Sequence, residues 1–140
     1  MNRLLHRTDV NATLDSNAMR VPVMFTETEL MPLLEYTPSW CLVQRAGEAL
    51  YLVSGTELRE WLQDALAEAE DADVTEAGIR RWSTAPVPPE ATLQQALDTM
   101  RKHTAETVYV VETGSITGRP VLHGVVTRES IERFTLASVL

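Results

Sequence analysis

One order of elements occurs twice in this chain of 140 residues, and this repetition restricts the folds that the chain can adopt. In each half, an apolar helical pattern precedes two apolar runs joined by a turn, and a hydroxyl residue then opens a second helix. That residue is Ser54 in LYLVSGTELREWL and Thr127 in GVVTRESIERF. Self-similarity of this kind indicates an internal duplication, and the mixture of helices and strands predicts an α/β (α+β) fold.

The second half shows the pattern most clearly. Apolar residues at helical spacing in TLQQALDTMRKHTAE predict a helix, with Thr92 as its N-cap and Gln95 completing a capping box. The runs TVYVV (residues 107–111) and VLHGVV (residues 121–126) predict two strands. The stretch ETGSITGRP between them contains two glycines and a proline, and it predicts a hairpin turn.

The first half follows the same order. TELMPLL predicts a helix from Thr28, and the runs WCLVQ (residues 40–44) and ALYLV (residues 49–53) predict strands on either side of a tight turn, RAGE. A helix opened by Ser54 follows. The two halves then align at three offsets, which are 63 between Leu30 and Leu93, 68 between residues 40–43 and 108–111, and 73 between Ser54 and Thr127.

This alignment divides the chain into three parts. Residues 1–66 are predicted to form the first repeat with a lead-in, residues 67–78 an acidic connector, and residues 79–140 the second repeat. The first twenty residues carry no clear pattern. Pro22 and Pro86 argue against central-strand positions for the proline-containing segments ahead of the two repeats, because proline lacks the N–H that a sheet ladder needs.

Composition and charge exclude several classes of protein. Hydrophobic residues make up 44% of the chain, which is enough for a globular core. The net charge of −8 repels phosphate backbones, so broad nucleic-acid binding is not expected. No apolar run approaches the roughly 18 residues of a membrane helix, and no secretory signal is recognisable at the start. Cys41 is the one cysteine and is predicted to be a buried, reduced thiol, so a cytoplasmic setting without direct membrane insertion is expected.

The repeated corner carries the strongest functional signal. A strand followed by Ser or Thr and then a helix presents free N–H groups and the positive end of the helix dipole, which favour an anion. The hydroxyl of Ser54 or Thr127 can cap the helix or contact a phosphate. Three residues later stand Glu57 and Ser130, where a carboxylate can cap the helix or bind ribose hydroxyls. Helix capping alone and ligand binding both remain open from the sequence.

Catalytic and metal-binding patterns are not found in the sequence. His6, His103 and His123 share no metal-ligand spacing with each other or with Cys41. Neither a GxSxG nucleophile motif nor a GxxxxGK phosphate-binding loop occurs. The sequence therefore does not predict an enzyme, because no nucleophile and base come together in a local motif.

Residues 20–136 resemble a tandem pair of cystathionine-β-synthase (CBS) domains, each built as helix–strand–strand–helix. The resemblance is carried best by ATLQQALDTMRKHTAETVYVV and VLHGVVTRESI in the second repeat. It implies a pseudo-two-fold pair, in some family members with an adenine nucleotide (ATP, ADP or AMP) bound and in others with no ligand. Carried over, the nucleotide half-sites are Ser54 with Glu57 and Thr127 with Ser130. Glu57 and Ser130 replace the usual Asp of the motif.

A narrower resemblance is to the cytoplasmic C-terminal region of bacterial ClC-type chloride channels and transporters. It rests on PSWCLVQRAGEALYLVSGTELREWL and on the second-repeat phrases. It implies a regulatory domain that follows a transmembrane channel domain and forms a homodimer. The helix faces expected between modules are Leu58/Trp61/Leu62 and Ile131/Phe134. The alternative is a free-standing CBS pair that senses adenine nucleotides and regulates a partner enzyme.

Overall fold

The computed structural model describes residues 3–114 and 118–139, which divide into two compact units. The first unit is residues 17–82, and the second combines residues 3–16 with the described residues from 83 onward. From the N terminus the elements are α1 (Arg3–Arg7), β1 (Ala18–Arg20), β2 (Met24–Phe25), α2 (Glu27–Glu35), β3 (Trp40–Val43), β4 (Tyr51–Ser54), α3 (Gly55–Glu68), β5 (Ala72–Asp73), β6 (Trp82–Val87), α4 (Leu93–His103), β7 (Thr107–Glu112), β8 (Val121–Thr127) and α5 (Arg128–Val139). This mixture of helices and strands confirms the predicted fold class.

The first unit is built around β3, which pairs parallel with β1 and antiparallel with β4. A second, small antiparallel pair joins β2 to β5. Helix α2 begins after Thr26, whose backbone N–H donates to the Glu29 carboxylate at 2.7 Å in a capping box. The core residues come from both helices, from strands β2 to β5 and from the 3-10 turn after β5, and they are Phe25, Leu30, Leu33, Cys41, Val43, Val53, Leu58, Leu62, Ala72 and Val74.

The second unit repeats this arrangement with β7 in the middle, parallel to β6 and antiparallel to β8. The predicted capping box at α4 is present, because the Thr92 hydroxyl accepts from the Gln95 N–H at 3.1 Å and the Gln95 side chain accepts from the Thr92 N–H at 2.8 Å. Apolar residues of α4, α5 and the sheet form the core together with Val10. Pro86 lies within β6 opposite Tyr109, whereas Pro22 lies outside the strands.

Paired strands give the true register of the repeat. The N-caps Thr26 and Thr92 lie 66 positions apart, the strand residues Trp40 and Thr107 lie 67 apart, and Ser54 and Thr127 lie 73 apart. The predicted strand offset of 68 was wrong by one residue. At the helix the N-caps give 66, whereas the buried residues Leu30 and Leu33 match Leu93 and Ala96 at the predicted offset of 63. A shift of three keeps one apolar helix face in place, and a slip of one is hidden in a continuously apolar strand.

The compact units also differ from the predicted parts of the chain. Residues 3–16 belong with the second unit, not with the first repeat, because Val10 is fully buried in the second unit's core. The predicted connector, residues 67–78, contains the end of α3, the strand β5 and a short 3-10 turn. In the predicted hairpin loop ETGSITGRP, residues 115–117 lie outside the described residues.

Candidate functional site

The corner at Ser54 is formed where β4 ends and α3 begins. The Ser54 hydroxyl accepts from the Glu57 N–H at 3.4 Å, so it acts as the N-cap of α3. The Gly55 N–H donates to the Ser39 carbonyl at 3.1 Å. Two amide groups at this helix start are therefore already bonded within the unit, while the Glu57 side chain is exposed at the surface.

The corner at Thr127 is closed by a reciprocal set of hydrogen bonds. The Ser130 N–H donates to the Thr127 hydroxyl at 3.0 Å, and the Thr127 N–H donates to the Ser130 hydroxyl at 3.2 Å. The Ser130 hydroxyl also donates to the Thr127 carbonyl at 2.8 Å. Ser130 thus takes the place that Glu or Gln has in an ordinary capping box. Each predicted pair comes together within its own unit, and in this structure each acts as a helix cap.

The cross-strand neighbours of the two corners differ, and neither set was predicted from the sequence. Trp40 lies directly opposite Ser54, and it packs edge-on against Trp82 with the ring centroids 5.4 Å apart. The Arg80 guanidinium lies 3.4 Å from the centroid of the Trp82 ring, which is a cation–π contact. The first corner therefore stands beside a stack of aromatic and cationic groups, packed within the first unit.

The second corner lies at the end of a row of three threonines. Thr84, Thr107 and Thr127 are cross-strand neighbours on β6, β7 and β8. The Thr107 hydroxyl donates to the Ser83 carbonyl at 3.0 Å. The Thr84 hydroxyl oxygen is buried and has no hydrogen-bond partner among the residues that the structure describes. The sequence alone does not predict this row, because the threonines at positions 84, 107 and 127 align only when the strands pair in the observed register.

Tyr51 is the first residue of β4, and charged groups lie around its ring. The Arg81 guanidinium lies 4.5 Å from the centroid of its ring, and Arg45 pairs with Asp73 at 3.3 Å. Burial raises the pKa of Tyr51, and the charge of Arg81 opposes that shift. Hydrogen bonds from the side chain and backbone of Thr75 lower the pKa of Asp73. The Tyr51 ring is thus packed against charged side chains at the start of β4.

An apolar groove lies on the second unit between α1, α4 and α5, with a volume of about 340 Å³. Its lining residues are Leu5, Leu97, Arg128, Ile131, Glu132, Thr135 and Leu136. Leu136 is 65% exposed, so part of the groove's rim is apolar surface open to solvent.

The helix faces predicted for self-association lie mostly inside the units. Leu58 and Leu62 are fully buried, and Ile131 is 2% exposed. These three residues are not available to a second molecule, because they already pack in the cores of their own units. Trp61 and Phe134 are only partly buried.

A metal site would need clustered histidines, acidic side chains or Cys41, and thiol chemistry would need Cys41 to be reactive. Within residues 3–114 and 118–139, no group of three His, Cys, Asp or Glu side chains could hold a metal ion. His123 contacts Glu112 across β7 and β8 at 3.0 Å. Cys41 is buried as predicted, and burial raises the pKa of its thiol to about 12, so little reactive thiolate forms near neutral pH.

No helix in the described part of the chain is long and apolar enough to cross a membrane.

Comparison with known proteins gives matches in structure but not in sequence. No protein-family model matches the chain, and no curated protein matches it significantly. The CBS domain of a putative transporter from Clostridium difficile 630 is similar over 96% of this chain and 98% of its own, with 16% identity and a TM-score of 0.58. A hemolysin-like, CBS-domain-containing protein of Oenococcus oeni PSU is similar over 90% and 88%, with 14% identity and a TM-score of 0.51.

A third similar structure is the CBS domain pair of protein MJ0100 in complex with 5-methylthioadenosine and S-adenosyl-L-methionine. It is similar over 94% of this chain and 98% of its own, with 17% identity and a TM-score of 0.51. At these identities the likeness concerns the fold. The similarity extends over nearly the whole chain and agrees with the two helix–strand–strand–helix repeats described above. The chain therefore has the fold of a tandem CBS-domain pair.

Proposed function

We propose that the chain is a regulatory CBS-domain pair that modulates a ClC-type chloride channel or transporter. The observation that carries this proposal is the likeness of almost the entire chain to the CBS domain of a putative transporter. A ligand or partner that binds one packing state of the repeats more tightly would shift the population toward that state. The attached transport domain would respond because the two equilibria are coupled.

The ligand that we propose for this regulation is an adenine nucleotide, such as ATP, ADP or AMP. Support comes from the MJ0100 pair, whose two ligands both carry an adenosyl group. In this chain the candidate residues are Ser54 with Glu57 and Thr127 with Ser130. The Thr127 corner adds the hydroxyl of Thr84 in the same cross-strand row, which has no hydrogen-bond partner in the described part of the chain. A bound phosphate would compete with the caps for the same N–H groups, which would limit its affinity.

The proposed partners are a second copy of the chain and the transmembrane channel domain of a longer protein. The proposed location is the cytoplasmic side of the membrane, without insertion of this chain. Leu136 and the groove on α5 supply exposed apolar surface for a second copy. Neither nucleic-acid binding nor catalysis is part of the proposal. The net charge of −8 disfavours binding to nucleic acid.

A free-standing CBS pair that senses nucleotides and regulates an enzyme is the second candidate function. The likeness to the MJ0100 pair is compatible with both candidate functions, so the fold does not distinguish between them. The sensor predicts submicromolar to micromolar nucleotide affinity in the isolated chain. The transporter domain predicts weak binding or none.

Isothermal titration calorimetry of the chain with ATP, ADP and AMP tests the ligand. Thr127→Ala and Ser54→Ala remove the two corner hydroxyls, and Thr92→Ala is the matched control because it removes a similar cap at α4. Binding heat that is lost in a corner variant and kept in the control would support a nucleotide site at that corner. Absence of heat up to millimolar nucleotide would mean that the corners only cap helices.

A further inference from the structure

Residues 3–16, here called the strap, are bound to the second unit although the chain continues from them directly into the first unit. The strap contains α1 and the 3-10 turn Val10–Thr13. Val10 is fully buried in the core of the second unit, and Leu5 and Leu14 pack against the same core. The strap therefore completes a core whose other residues all come from position 87 onward.

Backbone hydrogen bonds tie the strap to the entrance of α4. The Val10 N–H donates to the Ala91 carbonyl at 2.9 Å, and the Leu93 N–H donates to the Thr8 carbonyl at 2.8 Å. The Asn11 side-chain amide also donates to the Pro89 carbonyl at 3.4 Å. This part of the strap thus lies along the segment that leads into α4.

The end of the strap forms a bridge with β8. Asp15 and Val125 exchange two backbone hydrogen bonds, at 2.9 and 3.0 Å, in antiparallel register. Val125 lies two residues before Thr127. In this way the strap adds one strand-like contact to β8, as an extended peptide does when it augments a sheet.

Gly124 makes this close approach possible. Its φ is +155°, and a Cβ at this position would lie 2.3 Å from the Asp15 carbonyl oxygen and 2.9 Å from Leu14 Cδ1. Any larger residue would collide with the backbone of the strap. Glycine at position 124 therefore leaves the room that the strap needs to lie against β8.

We propose that the strap opens from the second unit as one cooperative segment before the β6–β7–β8 sheet unfolds. It has one fully buried side chain and a few backbone bonds, whereas the sheet is held by long paired strands. Segments with few buried contacts open at the lowest free energy. If the proposed function holds, on which this role rests, a domain ahead of residue 3 acts through the strap on the second unit and on β8 beside Thr127.

Amide hydrogen exchange of the whole chain, followed by NMR without nucleotide, tests the opening. The Leu93 and Val125 amides report on the strap, because both donate to it. Val10→Ala shortens the buried side chain that holds the strap in the core. It is expected to speed exchange at both amides together by about tenfold or more, with first-unit amides unchanged. Val43→Ala is the matched control, since it removes an equally buried valine from the other unit. Leu93 and Val125 amides that exchange no faster than the β7 amides of the parent chain, or that are unchanged by Val10→Ala, would overturn the proposal.

A cysteine pair keeps the test decisive if Val10→Ala does not fold. Asp15→Cys and Val125→Cys stand opposite each other in a hydrogen-bonded antiparallel pair, where Cα atoms lie about 5.5 Å apart and a disulfide can form. Oxidation is expected to slow exchange of the Leu93 amide by about tenfold relative to the reduced form, because the strap can no longer open. Equal exchange in both forms would refute an opening strap. This result is independent of the nucleotide titration, so failure of one proposal is distinguishable from failure of the other.

Discussion

Gly55→Ala is expected to destabilise the first unit strongly. Gly55 is the first residue of α3, and a Cβ there would lie 1.8 Å from the Pro38 carbonyl oxygen and 2.8 Å from its carbon. Both atoms belong to the backbone, so no side-chain rotation can relieve the collision. To reach even a tight contact of 3.0 Å, the two segments must move apart by about 1.2 Å.

The expected loss follows from two terms. Overpacking of a buried site costs about 1–3 kcal/mol, and separation of the segments weakens the Gly55 N–H bond to Ser39, which contributes about 1 kcal/mol. A fall of about 3 kcal/mol in the free energy of unfolding corresponds to a fall of about 10 °C in Tm for a chain of this size.

Urea unfolding and thermal denaturation measure this loss, with Gly78→Ala as the control. A Cβ at Gly78 would have no atom within 4 Å, so that variant should differ from the parent by less than about 0.5 kcal/mol. Equal stability of the two variants would refute the close contact between Pro38 and the helix start.

Three further predictions concern the cap, the core and the thiol. Thr127→Ala and Ser130→Ala should each lower the free energy of unfolding by about 1 kcal/mol, and the double variant should lose less than the sum, because both changes break the same reciprocal cap. Additive losses in a double-mutant cycle would contradict this. Leu62→Ala should lower the free energy of unfolding in urea by about 2–5 kcal/mol, because its side chain is fully buried, and Leu136→Ala by less than about 0.5 kcal/mol, because its side chain is 65% exposed. Similar losses in the two variants would contradict the burial of Leu62 in the core. Burial raises the pKa of Cys41 from 9.0 to about 12, so the unfolded chain releases this proton first and stability should fall above pH 9 by up to about 1.4 kcal/mol per pH unit. Cys41→Ala should remove that slope in unfolding measurements across pH 8–10, and an identical slope in the variant would show that other groups cause it.

Local signals predicted most of the elements. Thr92 and Gln95 mark the start of α4 by themselves, and the β-branched runs identify β7 and β8, because capping and strand propensity act over a few residues. The hydroxyl corners were predicted as caps or ligand sites, and the hydrogen bonds of Thr127 and Ser130 show the cap.

Long-range packing was not predictable from the sequence. Val10 has no periodic apolar neighbours, so nothing local assigns the strap to a core that begins at Val87. The row of Thr84, Thr107 and Thr127 depends on register, and a slip of one residue in an apolar strand leaves the sequence pattern unchanged. Leu58, Leu62 and Ile131 of the helix faces predicted for dimerisation are buried within their own units for a related reason, because the same apolar spacing serves a unit's own core.

Chloride flux tests the central proposal most directly. The reading frame ahead of Met1 would first be examined for a transmembrane domain, and the longer protein would then be reconstituted in vesicles with and without this chain. We predict an uninterrupted frame that encodes such a domain, and a flux that changes severalfold when the chain is removed, because the repeats bias the transport domain between its states. A frame without a transmembrane domain, or a flux that is the same with and without the chain, would contradict it.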